Sequence, residues 1–422
     1  MALTNKFKIG KVILATMFAM GGCGIDIDDT TQLSQPPVSN QVVLDWNIQA
    51  VTTPQPNSAR ASRLVAIVAG AMHDAANGNS ERYEPYAVNI ESQQADPRAT
   101  VASAAYTVLV GLVPSRKSVY DAALANSLAS IPDSNAKTKG IQIGQQIGQA
   151  TLALRANDGS DPTTTFNPPT GIGYWVPTPP AFLPHFEPQW GGVRPFTLDS
   201  GSQFRPPPPN PVGSDAYVAE YNEVKSVGQD TSTTRTADET HMAHFWYEGS
   251  VIGWNRIARD VAVQKGADLY DTARNLALMD LAMADGFIAG MEAKTTYARW
   301  RPITAIRADD GDPRTDSDPT WNALRPTPNI ASYPSTHSVL GNAAADILAR
   351  EYGDDVTVTE VSNTAVPAGS SRTWNRFSDA ANENAYSRLL VGVHFRSDNE
   401  QGQAQGTHIA DWAAERFLRR LK

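Results

Sequence analysis

Three short segments of the chain hold the side chains best suited to chemistry on an oxyanion. The first runs from Lys294 to Pro302 (KTTYARWRP), the second is Pro334-Ser335-Thr336-His337, and the third runs from Ser387 to Asp398 (SRLLVGVHFRSD). Lys294, Arg301 and Arg388 supply three cations, and a guanidinium offers a planar fork of donors that matches tetrahedral oxyanions. Lys294 and Arg301 are seven residues apart. That spacing is two helical turns and predicts one shared helix face, with Pro302 ending the helix. Ser335 and Thr336 precede SVLGNAAADILARE and are predicted to cap it; a helix N-terminus turns free N–H groups and a positive dipole toward an anion. Ser397-x-x-Glu400 reads as a capping box. It predicts that Asp398 opens the last helix, with His394 in the connector before it. Asp398 can then hold one ring nitrogen of His394 and aim the other at the anion. Each residue alone is ordinary; together they share the logic of an oxyanion trap with acid–base groups.

The elements that must position these residues are helices. The chain has 422 residues, 41% hydrophobic and 19% charged, enough to bury a large core in two to three domains. Helical patterns dominate from Leu44 onward, at 59–77, 99–113, 118–128, 141–155, 214–227, 237–248, 255–265, 271–300, 338–352, 379–391 and 398–421. Only 356–361 alternates as a strand should, so the fold class is mainly α. Residues 157–213 are too rich in proline for a long helix. They carry Tyr174, Trp175, Phe182, Phe186 and Trp190, which predicts a loop packed over the core. The domain reading is 41–213 for an N-terminal helical region with that loop, and 214–422 for a C-terminal bundle with all three segments.

The pattern K-x6-RP, PSxH and SR-x5-H-x3-D resembles the vanadium-dependent haloperoxidase and type 2 phosphatidic acid phosphatase superfamily. By motif the resemblance covers the C-terminal third, and the flanking residues, Trp300 to Arg307 and Gly392 to Asn399, look more like the bacterial haloperoxidase branch. It implies two units like four-helix bundles around a vanadate or phosphate site. In that site Lys294, Arg301 and Arg388 neutralise equatorial oxygens, Ser335 donates its hydroxyl and Thr336 its backbone N–H. His337 is the acid–base group, His394 binds vanadium and Asp398 orients it; Lys294 also polarises bound peroxide. The implied cofactor is vanadate, with hydrogen peroxide and a halide as substrates. The same cage accepts phosphate, so a phosphatase acting through a phosphohistidine at His394 is an alternative, as is a non-catalytic oxyanion-binding lipoprotein. One position departs from the pattern: Thr336 replaces the usual glycine and would be strained if the backbone there needed a positive φ. Ile330, seven residues before His337, supports no halide assignment.

Other candidates carry less. His241 and His244 share a helix face without a third ligand. Phe245, Trp246 and Tyr247 could line a halide pocket but read as core. His73-Asp74 reads as a structural pair, and His185 has no evident partner. Asp309, Asp310, Asp312, Asp316 and Asp318 lack the spacing of a calcium loop and read as a solvated loop. The net charge of −9 argues against a nucleic-acid partner. The single cysteine excludes an internal disulfide and a multi-thiolate zinc site. Lys6, Lys8 and Lys11, then VILATMFAM, then Gly21-Gly22-Cys23 have the layout of an export signal. Cys23 resembles the lipidated cysteine of bacterial lipoproteins. This reading makes 1–22 a signal peptide, 23–40 a tether and the protein exported, held to the cell envelope only through a lipid anchor at Cys23.

Overall fold

The computed structural model describes residues 38–421. The leader, Cys23 and most of the tether therefore lie outside the described residues. Thirteen α-helices follow one another: α1 (Gln41–Val51), α2 (Ser58–Ser80), α3 (Pro97–Leu112), α4 (Lys117–Ala129), α5 (Asn135–Arg155), α6 (Asp215–Val227), α7 (Ala237–Phe245), α8 (Ser250–Gln264), α9 (Leu269–Tyr297), α10 (Pro302–Arg307), α11 (Thr336–Tyr352), α12 (Phe377–Leu390) and α13 (Arg396–Arg416). The strand predicted at 356–361 is β1 (Val358–Val361), and it pairs antiparallel with β2 (Ser371–Trp374), which the pattern had not revealed. No helix among the described residues is long and apolar enough to cross a membrane.

Helix starts follow the capping residues. Asn57, Ser134 and Ser214 each accept the N–H three residues on, Asp96 and Asp268 each take two, and Thr236 with Glu239 forms a reciprocal capping box, the bonds that satisfy otherwise orphaned donors. α9 is the axis of the molecule. Nearly all of its residues from Leu269 to Lys294 are buried, because α2, α8, α11 and α13 surround it. α3 and α5 pack on α2, while α12 packs on α11. A single apolar cluster runs from Val43 and Trp46 through the α9 side chains to Ile409 and Leu418.

The proline-rich segment is clasped to this frame. The Asp285 carboxylate on α9 accepts the backbone N–H groups of Phe196, Thr197 and Leu198 at 2.6, 2.6 and 3.1 Å. Arg155 donates to the carbonyls of Arg194 and Pro195 while its guanidinium covers the Phe196 ring. Trp175 and Trp190 are buried, whereas Phe182 is exposed. Asp74 plays the same part on α2, accepting three N–H groups from 86–88.

Asp280, also on α9, is less well served. One carboxylate oxygen accepts from Asn255 at 2.7 Å, and the other has no partner among the described residues. Burial pushes its pKa up to about 7. The unfolded carboxyl titrates lower, so the folded state loses stability as pH rises from about 4 through 7. Asp280→Asn removes that loss. Its stability advantage over the wild type, measured by urea unfolding, is expected to be about 3 kcal/mol larger at pH 8 than at pH 5.

Candidate oxyanion-binding site

The three motif segments converge at the N-terminus of α11. α9 ends at Tyr297, where Ala298 turns left-handed with φ 47°. Arg299, Trp300 and Arg301 form an extended link, and Pro302 begins α10. This corrects the expectation of one helix carrying Lys294 and Arg301 to a stop at Pro302. Proline is well suited to the first turn of a helix, where its missing N–H costs nothing. Lys294 therefore sits in the last turn of α9, while Arg301 caps the next helix.

The two cations are used differently. Lys294, fully buried, donates its three protons to the carbonyls of Ala331, Ser332 and Pro334 at 2.8, 2.7 and 2.6 Å. Burial and the Arg301 and Arg388 guanidiniums lower its proton affinity, but three acceptors require the full ammonium. Lys294 thus moors the segment leading to Ser335, and the protons expected to meet an oxyanion are occupied by backbone. Arg301 donates Nε to the Ile330 carbonyl and Nη1 to the Val393 carbonyl, each at 2.7 Å, and its Nη2 has no partner.

Ser335 is the N-cap of α11, accepting the Ser338 N–H at 3.3 Å. α13 is brought against this end of α11 by Gly402 and Gly406. A Cβ on either would lie 2.7 Å from the Ser335 carbonyl or 2.4 Å from the Val339 carbonyl, so only glycine permits the approach. His337, on the first turn, bonds Ser250 through Nδ1 at 3.0 Å and leaves Nε2 unpartnered. Arg388 occupies the last turn of α12, with Nε and Nη1 unpartnered and its guanidinium 5.5 Å from the Tyr247 ring centre. Gly392, at φ 83°, then turns the chain so that His394 returns to the site. A Cβ there would lie 2.3 Å from the Gly228 carbonyl.

The His394 ring is fixed at both nitrogens. Nδ1 is 3.0 Å from Asp398 Oδ2, and Nε2 is 3.1 Å from Arg301 Nη1. A carboxylate accepts and a guanidinium donates, so the proton belongs on Nδ1 and the lone pair on Nε2. Burial and the surrounding cations hold both His394 and His337 well below the ordinary imidazole range. Both are therefore neutral at pH 7. The capping expected from Ser397 and Glu400 is shifted: α13 begins at Arg396, Phe395 is the N-cap, and Asp398 reaches back to the Phe395 N–H at 3.1 Å.

These groups face a cavity of about 610 Å³, lined by Arg301, Thr336, His337, Arg388 and His394 at one end. Tyr247, Phe287, Ile330 and Leu340 also line it, together with residues 51–55, Asn57 and Ser58 of the N-terminal half. Among the described residues, no carboxylate pairs with Arg301 or Arg388. Burial pushes their pKa values down to about 9 and about 10, leaving both charged at neutral pH. Buried, unpartnered and unneutralised donors are costly unless an anion satisfies them.

Residues 274–422 match the family model described as the VCPO second helical-bundle domain. A crystal structure of a bacterial vanadium-dependent iodoperoxidase aligns with a TM-score of 0.79, covering 91% of this chain and 98% of that one at 24% identity. The chain has the vanadium haloperoxidase fold. A holo-type bacterial vanadium-dependent chloroperoxidase aligns with a TM-score of 0.71 over 90% of this chain and 97% of that one, at 18% identity. In sequence, the vanadium chloroperoxidase of Curvularia inaequalis is 27% identical, matched over 51% of this chain and 46% of its own length.

Within this haloperoxidase fold the departure at Thr336 is accommodated. Thr336 is the first residue of α11 and is not among the positions of positive φ. Its methyl fills a notch at Gly290 on α9, where a Cβ would lie 2.5 Å from it. Gly290→Ala is expected to destabilise by about 1–3 kcal/mol through overpacking, and Thr336→Gly in the same chain is expected to relieve most of that loss. Chemical denaturation of the four-member cycle reads the coupling.

The remaining sequence candidates fall outside the cavity, with one exception. Phe245 and Trp246 are core, but Tyr247 lines the cavity and donates to the Pro326 carbonyl. His241 contacts Ser370 and Arg372, His73 contacts the Glu84 carbonyl, and His185 contacts the Phe186 carbonyl between Phe166 and Trp175. No group of residues able to hold a metal ion through His, Cys, Asp and Glu occurs among the described residues, the aspartate-rich loop included. Sequence reasoning missed Ser250, Ser332, Arg299 and Glu220. Arg299 stood inside the first motif as an unremarked second arginine, while Glu220 lies on α6 with no spacing that links it to His394.

Proposed function

We propose that this protein is a vanadate-dependent haloperoxidase that uses hydrogen peroxide to oxidise a halide to hypohalous acid. The observation that carries this reading is the set of unpartnered donors on residues that line the cavity with His394: Arg301 Nη2 and Arg388 Nε and Nη1, with His337 Nε2 beside them as a free acid–base nitrogen. Such a set fits a tetrahedral oxyanion bearing several negative oxygens. Vanadate, when bound, supplies a Lewis-acidic centre that activates peroxide without a change of metal oxidation state. The chain's own groups do the rest. His394 Nε2 would ligate the bound group, Asp398 holds Nδ1, and Arg301 and Arg388 would stabilise charge on its oxygens. The overall reaction consumes a proton (H₂O₂ + X⁻ + H⁺ → HOX + H₂O). That proton comes from solvent, and neutral His337, whose Nε2 faces the cavity while Nδ1 is tied to Ser250, would take it up and pass it on.

The test measures peroxide-dependent oxidation of iodide, bromide and chloride with and without orthovanadate, beside phosphate-ester hydrolysis. Halide oxidation that requires vanadate is the expected result. Hydrolysis alone, inhibited by vanadate, would replace this reading with a phosphatase acting through His394. We also propose export with a lipid on Cys23. Radiolabelled palmitate is expected on the wild type expressed in a bacterial envelope and not on Cys23→Ser.

A further inference from the structure

We propose that Arg299, braced by Glu220, is a positioning residue that keeps the Asp398 carboxylate on His394 and so keeps the Nε2 lone pair turned to the cavity. Arg299 lies in the link between α9 and α10, and Glu220 lies on α6; both are almost wholly buried. Arg299 Nη1 donates to Asp398 Oδ1 at 2.9 Å, and Nη2 donates to Glu220 Oε1 at 2.5 Å. The guanidinium lies 4.2 Å from the centre of the Phe395 ring, which packs against it. Glu220 is itself fixed, since its second oxygen accepts the Ser397 N–H at 3.0 Å. Asp398 Oδ2 is left to accept from His394 Nδ1, the Phe395 N–H and Ser332 Oγ.

The physical need is clear from the neighbours. Asp398 is a fully buried anion whose field acts on both Lys294 and Arg301. Without a partner of its own it would be drawn toward those cations. That movement takes it off Nδ1 and neutralises charge meant for the oxyanion. Arg299 gives it a bidentate-capable competitor on the far side, and Glu220 cancels the charge that Arg299 brings. Neither residue touches the cavity, so both act through Asp398 and His394.

The reading of vanadate as the ligand of Nε2 rests on the proposed function, whereas the ring tautomer does not, and two readouts separate them. In oxyanion-free protein, ¹⁵N NMR of the His394 ring, assigned by its loss in His394→Ala, is expected to report the Nδ1–H tautomer. Arg299→Met and Glu220→Gln are expected to shift it toward Nε2–H, with Arg299→Lys in between. Equilibrium titration with orthovanadate is expected to show about 10–100-fold weaker binding in Arg299→Met, the usual cost of losing an outer partner of a ligand, and less than about twofold further loss when the same change is made in Asp398→Ala. Where Arg299→Met fails to fold, Glu220→Gln carries both measurements. An unchanged tautomer in the variants, or an undiminished Arg299→Met effect in Asp398→Ala, overturns the proposal. A wild type that binds no vanadate yet shows the tautomer shift would overturn the proposed function and leave this positioning role standing.

Discussion

Arg388→Met is expected to raise the stability of the oxyanion-free protein while weakening oxyanion binding about 10²–10³-fold. The two signs have one cause. Arg388 is buried, its Nε and Nη1 have no partner, and no carboxylate neutralises it among the described residues. Desolvating a charge without compensation costs free energy, and methionine keeps the apolar stem while removing the head. The expected gain is about 1–3 kcal/mol in urea unfolding without anions. Saturating vanadate should reverse the order, because a ligand that binds only the folded state stabilises it in proportion to its affinity. A variant less stable than the wild type without anions would mean that Arg388 is held by contacts rather than held against a cost.

His394→Ala is expected to abolish vanadate-dependent halide oxidation, a loss larger than the 10–100-fold that accompanies an outer-shell change alone. His394 has a carboxylate behind Nδ1 that fixes the lone pair on Nε2; His337 offers Nε2 but has only the Ser250 hydroxyl behind it. Folding should change far less, because the alanine vacates space beside the cavity. The expected pattern is an activity below detection with a melting temperature within a few degrees of the wild type. Retained oxidation at even a tenth of the wild-type rate would move the ligand role away from His394.

Much of this site was legible because short-range rules decide it. Ser335 before an apolar-periodic run had to be a cap, and four residues from His394 to Asp398 place the two where helix and connector meet. The rest was set by packing. Lys294 and Arg301 look like neighbours on one helix, but Ala298 in the left-handed region and Pro302 at a first turn break that face, so Lys294 moors backbone and Arg301 faces the cavity. Ser397 looked like the cap of α13, but the Asp398 carboxylate reaches Phe395 instead. Thr336 looked like a defect in the motif until Gly290, on another helix, supplied its notch. Glu220 and Arg299 meet across 79 residues of chain, a distance at which charge alone carries no signal in a single sequence. The first helix begins at Gln41, directly after the segment read as tether up to residue 40.

On the proposed function, His394 Nε2 ligates an oxyanion metal centre beside the unpaired guanidiniums of Arg301 and Arg388. Vanadium K-edge absorption on protein loaded with orthovanadate tests it most directly, with His394→Ala and Asp398→Ala beside the wild type. One nitrogen neighbour at vanadium is expected in the wild type, absent in His394→Ala and depleted in Asp398→Ala at equal vanadate concentration. An all-oxygen vanadium environment in the wild type, the same as in His394→Ala, would contradict it.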